Sequence, residues 1–224
     1  MTRLSIVIPA LNEAPSMAQT LQPLQPLRDH GVEVIVVDGG STDGTPGLAA
    51  LWANQVLHSP RGRARQLNAG AQAAGGAILL FLHADTQLPA QALQQILDAV
   101  DRGAVWGRFD VKIVGKPWML KVVGALINVR SRLSGIATGD QAIYVQRRAF
   151  EAVGGFPDQP LMEDVEISRR LKRLAPPHCH RLKVFTSGRR WEQRGVWRTI
   201  VLMWWLRWRY WRGADPSVLA RAYR

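Results

Sequence analysis

The chain has 224 residues and a mass of 24.9 kDa, with 47% hydrophobic and 21% charged residues, enough for one domain with a buried core and enough to exclude global disorder. Its net charge of +12 is uneven: residues 1–180 carry net +3 and residues 181–224 net +9, so a near-neutral body precedes a basic tail. The single cysteine, Cys179, excludes an internal disulfide framework and fits a reducing compartment.

Along the first hundred residues, strand-like and helix-like segments alternate. Residues 4–9, 32–38, 55–58 and 77–83 are short apolar runs bounded by turn residues; residues 14–29, 46–53, 62–74 and 89–101 read as helices, the first weakened by Pro23 and Pro26. This alternation predicts an α/β fold with a mostly parallel sheet flanked by helices. Near-continuous apolarity in 32–37 and 77–82 predicts strands covered on both faces. Beyond residue 104 the pattern gives a strand at 105–114, a helix at 116–133, a strand at 140–146, a helix at 163–174, a strand at 181–187 and a long aromatic helix at 190–212. The N-terminal residues lack a signal-peptide pattern, and the longest apolar run, 200–206, is far short of the roughly 18–20 residues of a spanning helix. A cytoplasmic location is the expectation.

Three predicted strands end in polar signatures: Pro9-Ala10-Leu11-Asn12-Glu13, Asp38-Gly39-Gly40-Ser41-Thr42-Asp43-Gly44, and His83-Ala84-Asp85. Parallel strands place all three on one edge, where open α/β sheets bind ligands. The glycine loop is neither a dinucleotide fingerprint nor a P-loop, and taken alone a tight strand-to-helix turn is the preferred account of it. Asp38, on the last residue of a buried strand, needs hydrogen-bond donors that a nucleoside can supply. Asp85, with His83 two residues earlier, suits a hard divalent cation sharing its shell with phosphate and water; a turn aspartate is the competing reading. Arg61, Arg63 and Arg65 open a helix and suit a diphosphate or a solvated face, and the small residues around Gly70 point to close packing on the sheet. Glu163, Asp164 and Glu166 lie in a first helical turn, where the dipole favours carboxylates and keeps Asp164 ionised, as a general base requires. His178-Cys179-His180 lacks the second ligand pair of a structural zinc site.

The tail from Arg189 to Arg212 holds seven arginines and six of the nine tryptophans. That composition matches an interfacial helix on an anionic membrane, a helix packed on the domain, or an aromatic platform for single-stranded nucleic acid. The first is preferred slightly over the second, and both over nucleic acid.

Taken together, these motifs resemble the family 2 glycosyltransferases, which have the GT-A nucleotide-sugar fold. Ile6 to Glu13 is similar to the family's opening strand and loop, Val36 to Gly44 to its second, His83-Ala84-Asp85 to its metal-binding D-x-D with histidine in the first place, and Glu163-Asp164 to its acidic base motif. Gly188-Arg189-Arg190-Trp191 loosely resembles the Arg-Trp element of processive members. Including Gly139-Asp140-Gln141 and Gly213 to Pro216, the chain looks most like a small bacterial branch labelled by association with radical-SAM or selenium-related genes or with arsenosugar biosynthesis. The resemblance implies a catalytic domain over 1–188 and a helical extension over 189–224. It implies a metal-dependent inverting glycosyltransferase acting on a nucleoside-diphosphate sugar, UDP preferred over GDP, and a small-molecule or lipid-linked acceptor. Pro9, Glu13, Asp38, Gly39, Arg65, Asp85, Arg190 and Trp191 would bind the donor, Asp85 and His83 Mn²⁺ or Mg²⁺, Asp164 with Glu163 would serve as base, and Asp140 and Gln141 would face the acceptor. A nucleotidyltransferase, which would want a glycine- and arginine-rich opening loop, and a non-catalytic binder of membrane or nucleic acid are the alternatives.

Overall fold

Strand β1 (Leu4–Ala10) leads into α1 (Ala14–Leu21), a 3-10 turn (Gln22–Leu24) and α2 (Gln25–Asp29), followed by β2 (Glu33–Asp38), α3 (Thr45–Ala50), β3 (Gln55–His58), α4 (Arg63–Ala73) and β4 (Ile78–Phe81). The computed structural model describes residues 3–223. Its second half contains β5 (Thr86–Gln87), α5 (Ala92–Asp101), β6 (Trp106–Val114), α6 (Met119–Ser134), a 3-10 turn (Gly139–Gln141), β7 (Ile143–Gln146), α7 (Arg147–Ala152), α8 (Glu163–Leu174), β8 (His178–Ser187), α9 (Arg189–Arg194), α10 (Val196–Trp211) and α11 (Pro216–Tyr223).

The strands form one curled sheet in the order β3-β2-β1-β4-β7-β6-β8-β5. The pairs β3·β2, β2·β1, β1·β4 and β6·β8 are parallel, while β7 runs antiparallel to both β4 and β6, and β5 to β8. The first half is therefore the parallel array that the alternation predicts. Both faces of β1, β2 and β4 are covered. Ile6, Ile8, Val34, Val36 and Leu80 enter one core with Met17 of α1 and Ile96 of α5. Val7, Ile35, Val37, Leu79 and Phe81 enter the other with Leu67 of α4 and Ile167 of α8. Period-two alternation thus sends every second side chain to each face, and each face needs apolar residues. Gly70 of α4 allows the closest approach: a Cβ there would collide with Val7 and stand 2.9 Å from Val37 Cγ2.

Three predicted elements differ in detail. The helix expected over 14–29 is interrupted, because Pro23 and Pro26 lack the N–H that a continuing helix requires, and each sits instead near the start of a new turn. The strand expected from 140 begins only at Ile143, after the 3-10 turn and Ala142 at φ 48°. The long C-terminal helix breaks at Gly195, whose φ of 81° and ψ of 136° no helix accommodates.

The C-terminal helices pack on the body. Trp191, Val196 and Ile200 lie against Ile113, Leu120 and Val123, while Leu206 and Leu219 are buried with Leu161 and Met162 at the start of α8. Most of the aromatic surface remains outside, with Trp197, Trp204, Trp208 and Trp211 more than half exposed. No helix among the described residues is long and apolar enough to cross a membrane.

Candidate active site

The carboxyl ends of β1 and β2 are stitched together by their loops. The amide of Asn12 donates to Ser41 Oγ at 2.9 Å, and its own Oδ1 accepts the Thr42 N–H at 2.8 Å. The Glu13 and Ala14 amides donate to Thr45 Oγ1 and Asp43 Oδ2. Asn12 holds φ at 53°, a left-handed conformation asparagine tolerates better than most residues. Beneath the loops, Gln66 of α4 donates to the carbonyls of Ala10 and Val37, both at 2.8 Å, and lies against Gly39. Gln66 carries no motif, and its role is visible only in three dimensions.

Asp38 is 1% exposed. Its Oδ2 accepts the amides of Gly40 and Ser41 at 2.9 and 3.0 Å, and His58 Nδ1 lies 3.5 Å away. Burial opposes its ionised form, but hydrogen bonds from Ser41 and Gly40 prevail and hold the carboxyl below its usual range. Its Oδ1 is buried with no partner among the described residues. A buried carboxylate oxygen without a donor is costly. Ala10 of β1 is its neighbour in the sheet, and Pro9 pairs with Val37.

The end of β4 opens into a cavity of about 1230 Å³. Glu13, His83, Asp85, Asp140, Asp164, Arg190 and Trp191, all anticipated from sequence, line it. Burial, and then the negative charges of Glu13 and Asp140, push Asp85 above the usual carboxylate range. His83 lies against Gly139, where a Cβ would crowd the imidazole, and burial followed by Arg63 pushes its pKa down to about 3. The ring is therefore neutral at physiological pH.

Met162 adopts a left-handed conformation, φ 65°, immediately before α8, and this turn presents Glu163 and Asp164 to the cavity. The two acids have different environments. Glu163 is 3% exposed and pairs with Arg63 at 3.3 Å, with burial pushing its pKa up against the pull of that guanidinium. Asp164 is half-buried; Oδ2 accepts the Gly139 amide at 2.9 Å and Oδ1 its neighbour's amide, Val165 N–H, at 2.7 Å.

Residues 5–151 match the sequence profile of Glycosyl transferase family 2. The chain belongs to that family. Over 132 residues it is 33% identical to an uncharacterized glycosyltransferase of Mycobacterium bovis, covering 57% of this chain and 59% of the relative, so the chain spans little more than half of that protein's length. Among solved structures, the fold superposes on Staphylococcus aureus TarS in complex with UDP-GlcNAc with a TM-score of 0.66 and 19% identity, covering 83% of this chain and 58% of that one. It superposes on the mannosyltransferase PcManGT of Pyrobaculum calidifontis, in complex with GDP-Man and Mn²⁺, with a TM-score of 0.62 and 25% identity, covering 82% and 56%.

Within this family member, three sequence expectations change. Arg65 leaves the cavity and pairs with Asp158 at 2.9 Å on the surface, whereas Arg63 lines the cavity. Residues two apart point about 200° away from each other on a helix, so only one of the pair can face the site. Gln141 is fully buried: Thr138 donates to its Oε1, and its Nε2 reaches the Phe109 carbonyl, so it braces the 3-10 turn beneath Asp140. The arginine that reaches the loop after β1 is Arg189, whose Nη2 donates to both carboxylate oxygens of Glu13 at 3.0 and 3.2 Å. Arg190 instead lies 3.9 Å over the Tyr223 ring, its pKa lowered to about 10 by burial and by Arg194. Trp191, although it lines the cavity, also anchors α9 against Leu120.

Among the described residues no three histidine, cysteine or carboxylate side chains cluster as a ready-made metal site. The donor set that is present, one crowded carboxylate with a neutral imidazole nearby, fits a cation that draws most of its ligands from phosphate and water.

Proposed function

We propose that the chain is an inverting glycosyltransferase that moves a sugar from a nucleoside-diphosphate sugar to an acceptor hydroxyl. The observation that carries this reading is Asp164, a half-buried carboxylate held by the Gly139 amide in the same cavity as Asp85 and Glu13. The unpartnered Oδ1 of Asp38 takes an N–H of the donor's base, with Glu13 and the Gly39 loop closing around the nucleoside. Arg63 and Arg189 face the diphosphate from the cavity wall. Asp85, with His83, would hold Mn²⁺ or Mg²⁺, whose charge offsets that of the departing diphosphate.

Asp164 accepts the proton of the acceptor hydroxyl as its oxygen bonds to the anomeric carbon. The bond from that carbon to the phosphate oxygen breaks on the opposite side, and the nucleoside diphosphate leaves with the electron pair, so the configuration inverts. The Gly139 and Val165 amides, each donating to one carboxylate oxygen, fix the orientation of the Asp164 carboxylate. Glu163, paired with Arg63 in the wall, supports the base and positions Arg63.

Calorimetric titration with UDP, GDP and their sugar conjugates tests the donor half, and the base is tested with Asp164→Asn. The variant retains nucleotide-sugar binding and loses nucleoside-diphosphate release in the presence of an acceptor extract. A folded wild-type protein that binds none of these nucleotides, or undiminished release by the variant, overturns the reading. Release of pyrophosphate instead would identify nucleotidyl transfer.

A further inference from the structure

The cavity extends well past the donor end, between α6 and α10, and its far walls are built from two apolar stripes. On α6, Val123, Leu126, Ile127 and Leu133 follow helical spacing, and on α10 Ile200, Met203 and Trp204 do so. Each stripe is interrupted by one arginine: Arg130 on α6 and Arg207 on α10, both lining the cavity. Nε and Nη2 of Arg130 and Nε of Arg207 are buried with no hydrogen-bond partner, and neither side chain forms an ion pair among the described residues. Arg108, fully buried where these two are half-buried, also leaves its Nε without a partner, but its charge is matched by the Asp110 carboxylate.

Two unpaired guanidiniums in one apolar-walled cavity are expensive to keep. They are also close enough to feel one another: burial first, then Arg207, pushes Arg130 down to about 10, while Asp140 and Asp164 act in the opposite sense. Arg130, Arg207, Asp140 and Asp164 line the same cavity, so the two arginines share it with the proposed base.

We propose that Arg130 and Arg207 together seat a phosphate monoester carried by the acceptor, whose apolar chain lies in the trough between α6 and α10; this rests on the transferase reading only for the word acceptor. A phosphate monoester carries about −1.5 to −2 charge at neutral pH and matches two guanidiniums with charge-assisted hydrogen bonds. The orphaned nitrogens supply donors, and the stripes supply an apolar wall that a wholly polar acceptor would leave wet.

The test is calorimetry on the full chain with octyl phosphate, 1-octanol and inorganic phosphate, repeated on Arg130→Met/Arg207→Met and on Arg130→Lys/Arg207→Lys. Octyl phosphate binds the wild-type protein at least tenfold more tightly than octanol, loses at least tenfold in the methionine variant and recovers partly in the lysine variant. Without ligand, the methionine variant melts no lower than wild type, since it removes unpaired buried charge, and this separates lost binding from misfolding. Octanol binding as tightly as octyl phosphate, or an unchanged affinity in the methionine variant, overturns the proposal. Inorganic phosphate as tight as octyl phosphate overturns the apolar-chain part of the proposal; weaker inorganic phosphate supports it. UDP and GDP titrations on the same samples keep the two readings apart: nucleotide binding survives in the methionine variant, and octyl phosphate binding without any nucleotide binding would refute the donor site while leaving the anion seat intact.

Discussion

Replacing Asp38 by asparagine changes one atom of the proposed nucleoside site and nothing in its shape. Oδ2 accepts two amides, from Gly40 and Ser41, at 2.9 and 3.0 Å, so in the variant the amide oxygen must occupy that place. The NH₂ group then stands where Oδ1 stood, buried, in the position that has no partner. A donor replaces the acceptor that a base N–H requires. Losing a hydrogen bond to a charged group costs about 1.5–3 kcal/mol, which is roughly a ten- to 150-fold weaker affinity for whichever of UDP or GDP binds. The fold should lose less, about 1 kcal/mol, because both loop amides keep an acceptor, although a neutral one. There is also a pH signature. The folded carboxyl titrates below its unfolded value, so its contribution to stability is present above the unfolded pKa and lost as pH falls through the folded one; the asparagine variant should lack that acid-side loss. Calorimetry gives the affinity and urea titrations at several pH values give the stability. Nucleotide affinity within twofold of wild type, in a folded variant, would refute the assignment of Oδ1 as the base acceptor.

Gly70→Ala sets helix propensity, which favours alanine by about 1 kcal/mol, against a Cβ driven into Val7 and Val37; overpacking should win by about 1–3 kcal/mol net of adjustment, and a urea midpoint equal to or above wild type would disprove the tight α4 contact. His180, 6% exposed, stacked on Phe109 and 3.0 Å from Tyr144 Oη, is pushed down to about 4 by burial and by His178. Its folded pKa lies below the unfolded value, so the unfolded state binds the extra proton and stability falls as pH drops from about 6.5 to about 4, by up to about 3 kcal/mol. His180→Gln should flatten that part of the urea-stability profile, and parallel profiles would contradict it. Asp85→Ala should abolish any effect of EDTA on nucleotide-sugar binding, whereas the wild-type protein binds more weakly once Mn²⁺ is chelated; equal EDTA sensitivity in both removes Asp85 as the metal ligand. If the exposed Trp204 and Trp208 rest on an anionic membrane, the protein should float with anionic vesicles at low salt, and Trp204→Ser/Trp208→Ser should reduce the floated fraction. No flotation by the wild-type chain would leave the extension as a packing element.

What sequence could reveal followed from how strongly each position was constrained. Residues of β1, β2 and β4 are buried on both faces, so their apolar runs are almost uninterrupted, and the polar residues that follow each run mark the carboxyl edge. That is why Glu13, Asp38 and Asp85 could be placed on one edge before any contact was known. Arg63 and Arg65 were harder, because both are ordinary at a helix start and only the exact rotation of α4 separates the one in the cavity from the one paired with Asp158. Gln141 resembled its family motif in sequence and is nevertheless buried, since its amide is consumed in bracing the 3-10 turn that presents Asp140. Arginine and tryptophan continued their pattern across Gly195, which concealed the break between α9 and α10. The pairing of Glu13 with Arg189 lay furthest out of reach: 176 residues separate them, and neither residue type fixes a partner. Topology brings them together. β8 runs parallel to β6 and ends at Ser187, whose amide donates to the Asp85 carbonyl at 3.2 Å, so the chain emerges at the donor edge and its next arginines have nowhere else to go. A strand over 181–187 was predictable from its own residues, but its neighbours in the sheet were not, and it is the neighbours that deliver the basic tail to the site.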